Sequence, residues 1–316
     1  MVLQESIPKS GKTNYKKSSL MKKLNLPFVS LITVSWNKKE DTIELIRSLL
    51  KQKYGNKEIV VVDNASTDGT VEILREEFPL ITIIPLDKNY GLHKGFNVGV
   101  KYATGEIIIG VDQDCVLMDE NVIKKVVKDF KENQKLGIIA FNVKNYYSQK
   151  NAWDNPRFLK GGKLRRGDPC LDYNGCGFAV LKDVYDRAGG LPEEFFIYYG
   201  EIDLTLRVIE LGYECRYFPN ITVFHKSSPS RPNTSWYIKI VARNRAWFVW
   251  KNFPFYELVK HRFGLSAYLL FKEPALFFST SFEILAGLFQ ILKKRRCLSQ
   301  STINYYEVFD ELFSTF

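Results

Sequence analysis

FVSLITVSWNKKEDTIELIRSLLKQKYGNKEIVVVD, residues 28–63, decides the fold class. Its two ends, Phe28–Ser35 and Lys57–Asp63, are apolar runs rich in β-branched residues that do not alternate two by two, which predicts strands buried on both faces. Between them, Asp41–Lys51 spaces its apolar residues for one face of a helix. The unit then repeats: a turn at Asn64–Thr70 with a helix through Glu77, a strand over Ile81–Pro85, a helix over His93–Ala103 and a strand over Glu106–Asp112. Strands alternating with helices predict a Rossmann-like α/β domain, with a mostly parallel central sheet and helices on both faces. The first strand runs into WNKKED where a dinucleotide enzyme would place G-x-G-x-x-G, so a nicotinamide dehydrogenase is disfavoured. Gly91, Gly95 and Gly99 fall on one helical face, as expected where a backbone approaches a neighbour or ligand closely.

Charge is regional. The chain of 316 residues carries a formal net charge of +10, yet residues 1–27 hold six Lys against one acid and residues 226–296 hold thirteen Lys and Arg against three acids. The rest is net acidic, a poor description of a nucleic-acid binder. Five cysteines without a C-x-x-C pair fit neither a disulfide framework nor a zinc ribbon, and point to a reducing cytosol. Residues 1–26, without an apolar leader, read as a disordered basic tail.

Polar residues gather where the strands end. In parallel sheets ligands bind outside the carboxyl ends, and Ser35–Asn37, Asp63 and Asp112–Asp114 all stand there. Asp112-Gln113-Asp114 leaves the apolar run IIIGV directly; two carboxylates so close repel, and Mg²⁺ or Mn²⁺, which prefers hard oxygen ligands and holds phosphates, relieves that repulsion. Asp68 before Gly69 suits a helix cap, whereas Asp63 lies further in and can accept from a base or ribose. Glu201 and Asp203 open an amphipathic helix that Gly212 ends; the macrodipole alone accounts for acids there, and a general base is the sharper reading. His225 closes the strand ITVF, where a structural histidine is the commoner case and a ligand the alternative.

SLITVSWN, VVDNASTDGT, KNYGLHKGFNVGV, TGEIIIGVDQD, YNGCGFAVLKDVYDRAGGLPEEFFIYYGEIDLTLR and VFHKS, in this order, resemble glycosyltransferase family 2 with the GT-A fold, and within it the rhamnosyltransferase-like members. The resemblance implies that Ser35, Asn37 and Asp63 hold the nucleotide with Asn89 and Gly91 beneath it, and that Asp112 and Gln113 face the ribose. Asp114 and His225, with Asp112, would ligate Mg²⁺ or Mn²⁺. Glu201 would activate the acceptor, Asp203 would support its loop, and Gly175–Gly177 would border the sugar pocket. The family often has Glu-Asp-x-Asp where this chain has Gly200-Glu201-Ile202-Asp203, so its base would be Glu. The implied reaction is an inverting single displacement from a nucleotide diphosphate-sugar, UDP- or dTDP-linked, to a glycan or polyprenyl-linked acceptor in cell-surface polysaccharide or glycoconjugate synthesis. The catalytic domain would span 27–230, with a nucleotide-binding half at 27–115 and an acceptor-binding half at 116–230.

Residues 231–316 are aromatic and basic. Pro274–Leu292 nears the length of a membrane span, but Glu283 in its middle would cost about 2.5–3.5 kcal/mol at a helix centre. Amphipathic helices on the inner face of the cell membrane fit better; packing on the catalytic domain, or on a second subunit in a homodimer, is the alternative. A catalytically silent sugar-nucleotide-binding partner is the rival function, and four intact acid and imidazole positions speak against it. A nucleotidylyltransferase would want a Gly-rich, Arg-bearing first loop, and a processive synthase several spans and Gln-x-x-Arg-Trp.

Overall fold

The computed structural model describes residues 26–151, 165–226, 235–255 and 274–310. The expected basic tail therefore lies, but for its last position, outside the described residues. The amino-terminal half is β1 (Val29–Ser35), α1 (Lys39–Leu50), β2 (Lys57–Asp63), α2 (Thr70–Glu77), β3 (Thr82–Pro85), α3 (Leu92–Tyr102) and β4 (Ile107–Val111). Each element lies within about two residues of its sequence expectation. The second half adds β5 (Cys115–Val116), α4 (Val122–Glu132), β6 (Leu136–Asn145), β7 (Gly177–Leu181), α5 (Lys182–Ala188), α6 (Gly200–Glu210) and β8 (Glu214–His225). All eight strands form one sheet in the order β3-β2-β1-β4-β7-β6-β8-β5. β3, β2, β1 and β4 are mutually parallel, β7 runs antiparallel between β4 and β6, and β8 pairs parallel with β6 and antiparallel with β5.

Side chains along a strand point alternately to opposite faces, and both faces here are apolar. Leu31 and Val61 face one core with Leu45, Ile46 and Val126. Ile32 and Val62 face the other with Phe96, Val100 and Leu204. The glycine spacing in α3 has its expected use: a Cβ on Gly95 would stand 2.8 Å from Val34 Cγ1, and one on Gly99 2.6 Å from Ile32 Cγ2. The helix therefore lies tight on β1.

The carboxy-terminal segment divides, which the composition alone did not reveal. α7 (Ser235–Asn252) and α9 (Gln300–Asp310) join a third core, in which Trp247, Phe248, Ile303 and Tyr306 pack on Phe195, Ile202 and Leu206. α8 (Pro274–Lys293) crosses α7 closely: Trp247 Nε1 donates to the Ile284 carbonyl at 3.1 Å, and a Cβ on Gly287 would collide with the indole. Glu283 faces inward, paired with Lys239 at 2.7 Å and Arg243 at 3.6 Å. The opposite face exposes Phe278, Phe282, Leu285 and Phe289, each at least 64% accessible. α8 is long and apolar enough to cross a membrane by length and composition, and it is mostly unburied.

Candidate active site

Parallel pairing of β2, β1 and β4 brings their carboxyl ends to one edge, with Ser35 opposite Asp63. The antiparallel neighbours supply the remainder. Register of β4 on β7 sets Val111 against Gly177, so the Asp112 N–H donates to the Cys176 carbonyl at 3.3 Å. Pairing of Cys115 with His225 brings the end of β8 beside the acids, and the Lys226 N–H donates to the Asp114 carbonyl at 2.9 Å.

Asp114 Oδ1 lies 3.3 Å from His225 Nε2, and its Oδ2 accepts from Lys38 Nζ at 2.8 Å. Burial alone would raise this carboxyl; His225 and Lys38 outweigh burial and hold it well below the ordinary range. His225 moves the opposite way, because the Asp114 hydrogen bond, seconded by Cys176, overcomes the burial that disfavours its cation. His225 and Lys38 thus both engage the Asp114 carboxylate. The donor set of Asp112, Asp114 and His225 fits a hard or borderline ion. Cys115, Cys176 and His225 also offer donor atoms within 4.8 Å of one another, but two of the three are thiols, a softer set than a phosphate-bearing ion prefers.

Asp112 and Glu201 line the same open cleft of about 320 Å³, walled by Leu92, Phe96, Tyr173, Phe178 and Leu191. The bare Gly175 makes room there, since a Cβ would stand 3.1 Å from Glu201 Oε1. Burial pushes the Glu201 carboxyl up to about 7, with the Asp172 and Asp112 charges adding to the rise. A carboxylate poised near neutrality in an apolar-walled cleft suits proton abstraction at physiological pH. Asp172, whose charge adds to that rise, did not stand out in the sequence, because nothing in LDYNG marks an acid as more than a turn residue.

Asp203 is fully buried, with Asn252 Nδ2 donating to Oδ1 at 2.6 Å and Lys251 and Arg207 both bonded to Oδ2. Arg207 and Lys251 hold its carboxyl low against the burial that would raise it. Asp203 points from α6 into the α7 interface because it is two residues from Glu201, which turns it to a different side of the helix. It anchors that helix, in keeping with the expected support of its loop, and does not line the cleft.

The residues expected on the nucleotide side form a hydrogen-bonded turn. Ser35 is buried and donates to Asp63 Oδ2 at 2.7 Å, while Ser66 donates to Asp63 from its N–H at 2.8 Å and from its hydroxyl at 2.6 Å. Ser35 and Ser66 therefore orient Asp63. Asn37, exposed and left-handed at φ 48°, accepts from the Thr67 N–H at 2.8 Å. Gln113 ties the acid loop to β1 by accepting from the Trp36 N–H at 2.7 Å, leaving that indole half exposed. Asn89 accepts from the Gly91 N–H at 2.8 Å, and Gly91 at φ 87° leaves no space for a Cβ, which would stand 2.6 Å from the Phe196 carbonyl. Asp68 accepts from the first N–H of α2 at 3.2 Å, the capping role its sequence position predicts.

With this arrangement in view, comparison with known proteins is decisive for the family: the sequence pattern of "Glycosyl transferase family 2" matches residues 30–189. The chain belongs to that family. Its fold is GT-A. Poly-beta-1,6-N-acetyl-D-glucosamine synthase of Staphylococcus epidermidis is 30% identical over 116 residues, 36% of this chain and 28% of the synthase, so the chain spans little more than a quarter of that relative. The UDP-Glc:alpha-D-GlcNAc-diphosphoundecaprenol beta-1,3-glucosyltransferase WfaP of Escherichia coli is 27% identical over 194 residues, 60% of this chain and 74% of the relative. Among solved structures, the mannosyltransferase PcManGT of Pyrobaculum calidifontis, in complex with GDP-Man and Mn²⁺, superposes with a TM-score of 0.56 at 20% identity, covering 90% of this chain and 80% of that one. At that identity the likeness speaks for the fold.

Proposed function

We propose that this glycosyltransferase is an inverting, divalent-metal-dependent enzyme. It takes a sugar from a nucleoside diphosphate donor, UDP- or dTDP-linked, and transfers it to a glycan or lipid-linked acceptor in cell-surface polysaccharide or glycoconjugate synthesis. The observation that carries this reading is the shared cleft: Asp112 and Glu201 face one cavity, and Asp114, two residues beyond Asp112, meets His225 from the end of β8. Motif resemblance favours the rhamnosyltransferase-like members.

Asp112, Asp114 and His225 would hold Mg²⁺ or Mn²⁺, whose contribution when bound is to offset negative charge on the departing nucleoside diphosphate. Lys38, already on Asp114, adds a positive charge on the same side. Asn37, Asp63 and the Asn89–Gly91 turn bind the nucleoside side. Glu201 takes the acceptor hydroxyl proton onto its carboxylate as the new bond forms on the face of the anomeric carbon opposite the leaving group, which inverts configuration. Phe96, Phe178 and Leu191 exclude water from that face. In this reading residues 27–115 serve chiefly the nucleotide and residues 116–230 chiefly the acceptor.

A lipid-linked acceptor is supported by what the named glucosyltransferase acts on and by α8, whose Phe278, Phe282, Leu285 and Phe289 make an apolar stripe ending in Lys293, Lys294, Arg295 and Arg296. Apolar insertion beside cationic residues suits peripheral docking on the anionic inner face of the cell membrane. Titrating the full chain with UDP, dTDP and GDP, each with and without Mn²⁺, tests the donor reading. Metal-dependent binding of one nucleotide, with hydrolysis or transfer of its sugar, is expected. Binding without any metal-dependent turnover would favour the silent sugar-nucleotide-binding partner instead.

A further inference from the structure

We propose that Asn244, on a helix that does not line the cleft, is a positioning residue for Glu201: its side-chain amide holds the backbone of Phe195–Tyr198 in the shape that sets where the carboxylate stands. This rests on the reading of Glu201 as the base. The segment entering α6 is unusual, with Phe196, Tyr198 and Tyr199 all at left-handed φ of 68°, 66° and 67°. Aromatic side chains rarely adopt that conformation, and it persists only where the surroundings over-determine it.

Asn244 supplies the constraint from one side. Fully buried, it donates from Nδ2 to the carbonyls of Phe195, Ile197 and Tyr198 at 2.9, 2.6 and 3.1 Å, two hydrogens shared among three acceptors. Its Oδ1 accepts from Arg243 Nη2 at 3.0 Å and Nε at 3.2 Å, which fixes the amide the right way round. Arg243 Nη2 also reaches the Phe195 carbonyl at 3.2 Å. From the other side the His93 N–H donates to the Phe196 carbonyl at 3.2 Å, and its imidazole fills the place where a Cβ on Gly200 would go. The entry to α6 is thus clamped between α3 and α7, immediately before Glu201.

The helix body has its own anchor, Asp203 with Arg207, Lys251 and Asn252. Loss of the Asn244 donors therefore releases the entry turn and the base while the helix stays docked. Misplacing a reacting group by about 1 Å can cost on the order of a hundredfold in rate.

Steady-state transfer and nucleotide binding on the full chain test this with Asn244→Asp, Asn244→Ala, Glu201→Gln and the double variant Asn244→Asp/Glu201→Gln. Asn244→Asp keeps the shape, loses the donors and leaves its charge beside Arg243. It is expected to lower kcat about ten- to hundredfold, with the donor dissociation constant within about twofold and the circular dichroism of the wild type. In the Glu201→Gln background the same change should cost little further, because the group it positions is gone. Wild-type kcat in both Asn244 variants overturns the proposal, and so does a loss that persists undiminished beside Glu201→Gln, which marks a general packing role. Wild-type turnover in Glu201→Gln alone would instead remove the parent reading, and the proposal with it.

Discussion

Replacing Asp203 by Asn and Glu201 by Gln should separate an anchor from a catalyst two residues apart. Asp203 and Glu194 are the carboxylates around Lys251, with Arg207 on Asp203 and Lys294 on Glu194. Removing the Asp203 charge leaves Arg207 its carbonyl partners, Ala188 and Gly190, and leaves Lys251 one carboxylate that Lys294 shares. Breaking one side of a buried ion pair costs about 3–5 kcal/mol. At about 2–4 °C per kcal/mol for a chain of this size, the melting temperature should fall by roughly 10 °C. Glu201→Gln goes the other way. Its carboxyl is raised to about 7, so the folded state binds more protons between about 4.5 and 7, and the charged form lowers stability as pH rises through that window. Since the group faces an open cleft, the discounted gain from Gln at pH 8 is about 1–2 kcal/mol, vanishing below pH 4.5. Urea unfolding at pH 8 and pH 4.5, with turnover per folded molecule, reads all of this. Asp203→Asn changing stability by less than about 1 kcal/mol, or Glu201→Gln destabilising at pH 8, would refute the reasoning.

Other outcomes follow from the same geometry. With Glu201 acting as a base, kcat should rise with pH through an apparent pKa of about 7 and level above it; a flat profile between pH 5.5 and 8.5 would argue against that role. His93 is fully buried and burial lowers its pKa to about 4, so the unfolded state takes up protons first. Stability should therefore be lost as pH falls from about 6.5 towards 4, by up to about 3 kcal/mol, and His93→Gln should flatten that slope in denaturant titrations. Phe282→Glu and Phe289→Glu on α8 should abolish sedimentation with anionic vesicles while leaving nucleotide binding intact; undiminished sedimentation would dismiss the stripe as the docking face.

The amino-terminal half was legible in the sequence because its strands are buried on both faces, so unbroken apolar runs such as IVVV and IIIG marked them and their ends marked the edge of the sheet. Asp112, Asp114, His225 and Glu201 stood out for the same reason, each near the end of a strand or the start of a helix. What stayed hidden depends on long-range pairing. Register between β5 and β8 joins residues over a hundred positions apart, and only that pairing sets His225 on Asp114. Asp203 read as a twin of Glu201, since spacing along a helix tells that two side chains diverge but not which one meets the cleft. The aromatic carboxy-terminal residues read alike, whereas in the fold Phe248 and Tyr306 are core and Phe278 and Phe289 are surface. Composition carries no information on that split.

In the proposed reaction the acid loop and Glu201 serve one bound donor in different ways. Calorimetric titration of the donor nucleotide with Mn²⁺, run beside single-turnover transfer on the wild type, Asp114→Ala and Glu201→Gln, tests it most directly. The account predicts that Asp114→Ala loses the metal-dependent part of nucleotide binding together with transfer, and that Glu201→Gln binds like the wild type yet transfers at least about a hundredfold more slowly. Wild-type metal-dependent binding in Asp114→Ala, or near-normal transfer in Glu201→Gln, would contradict it.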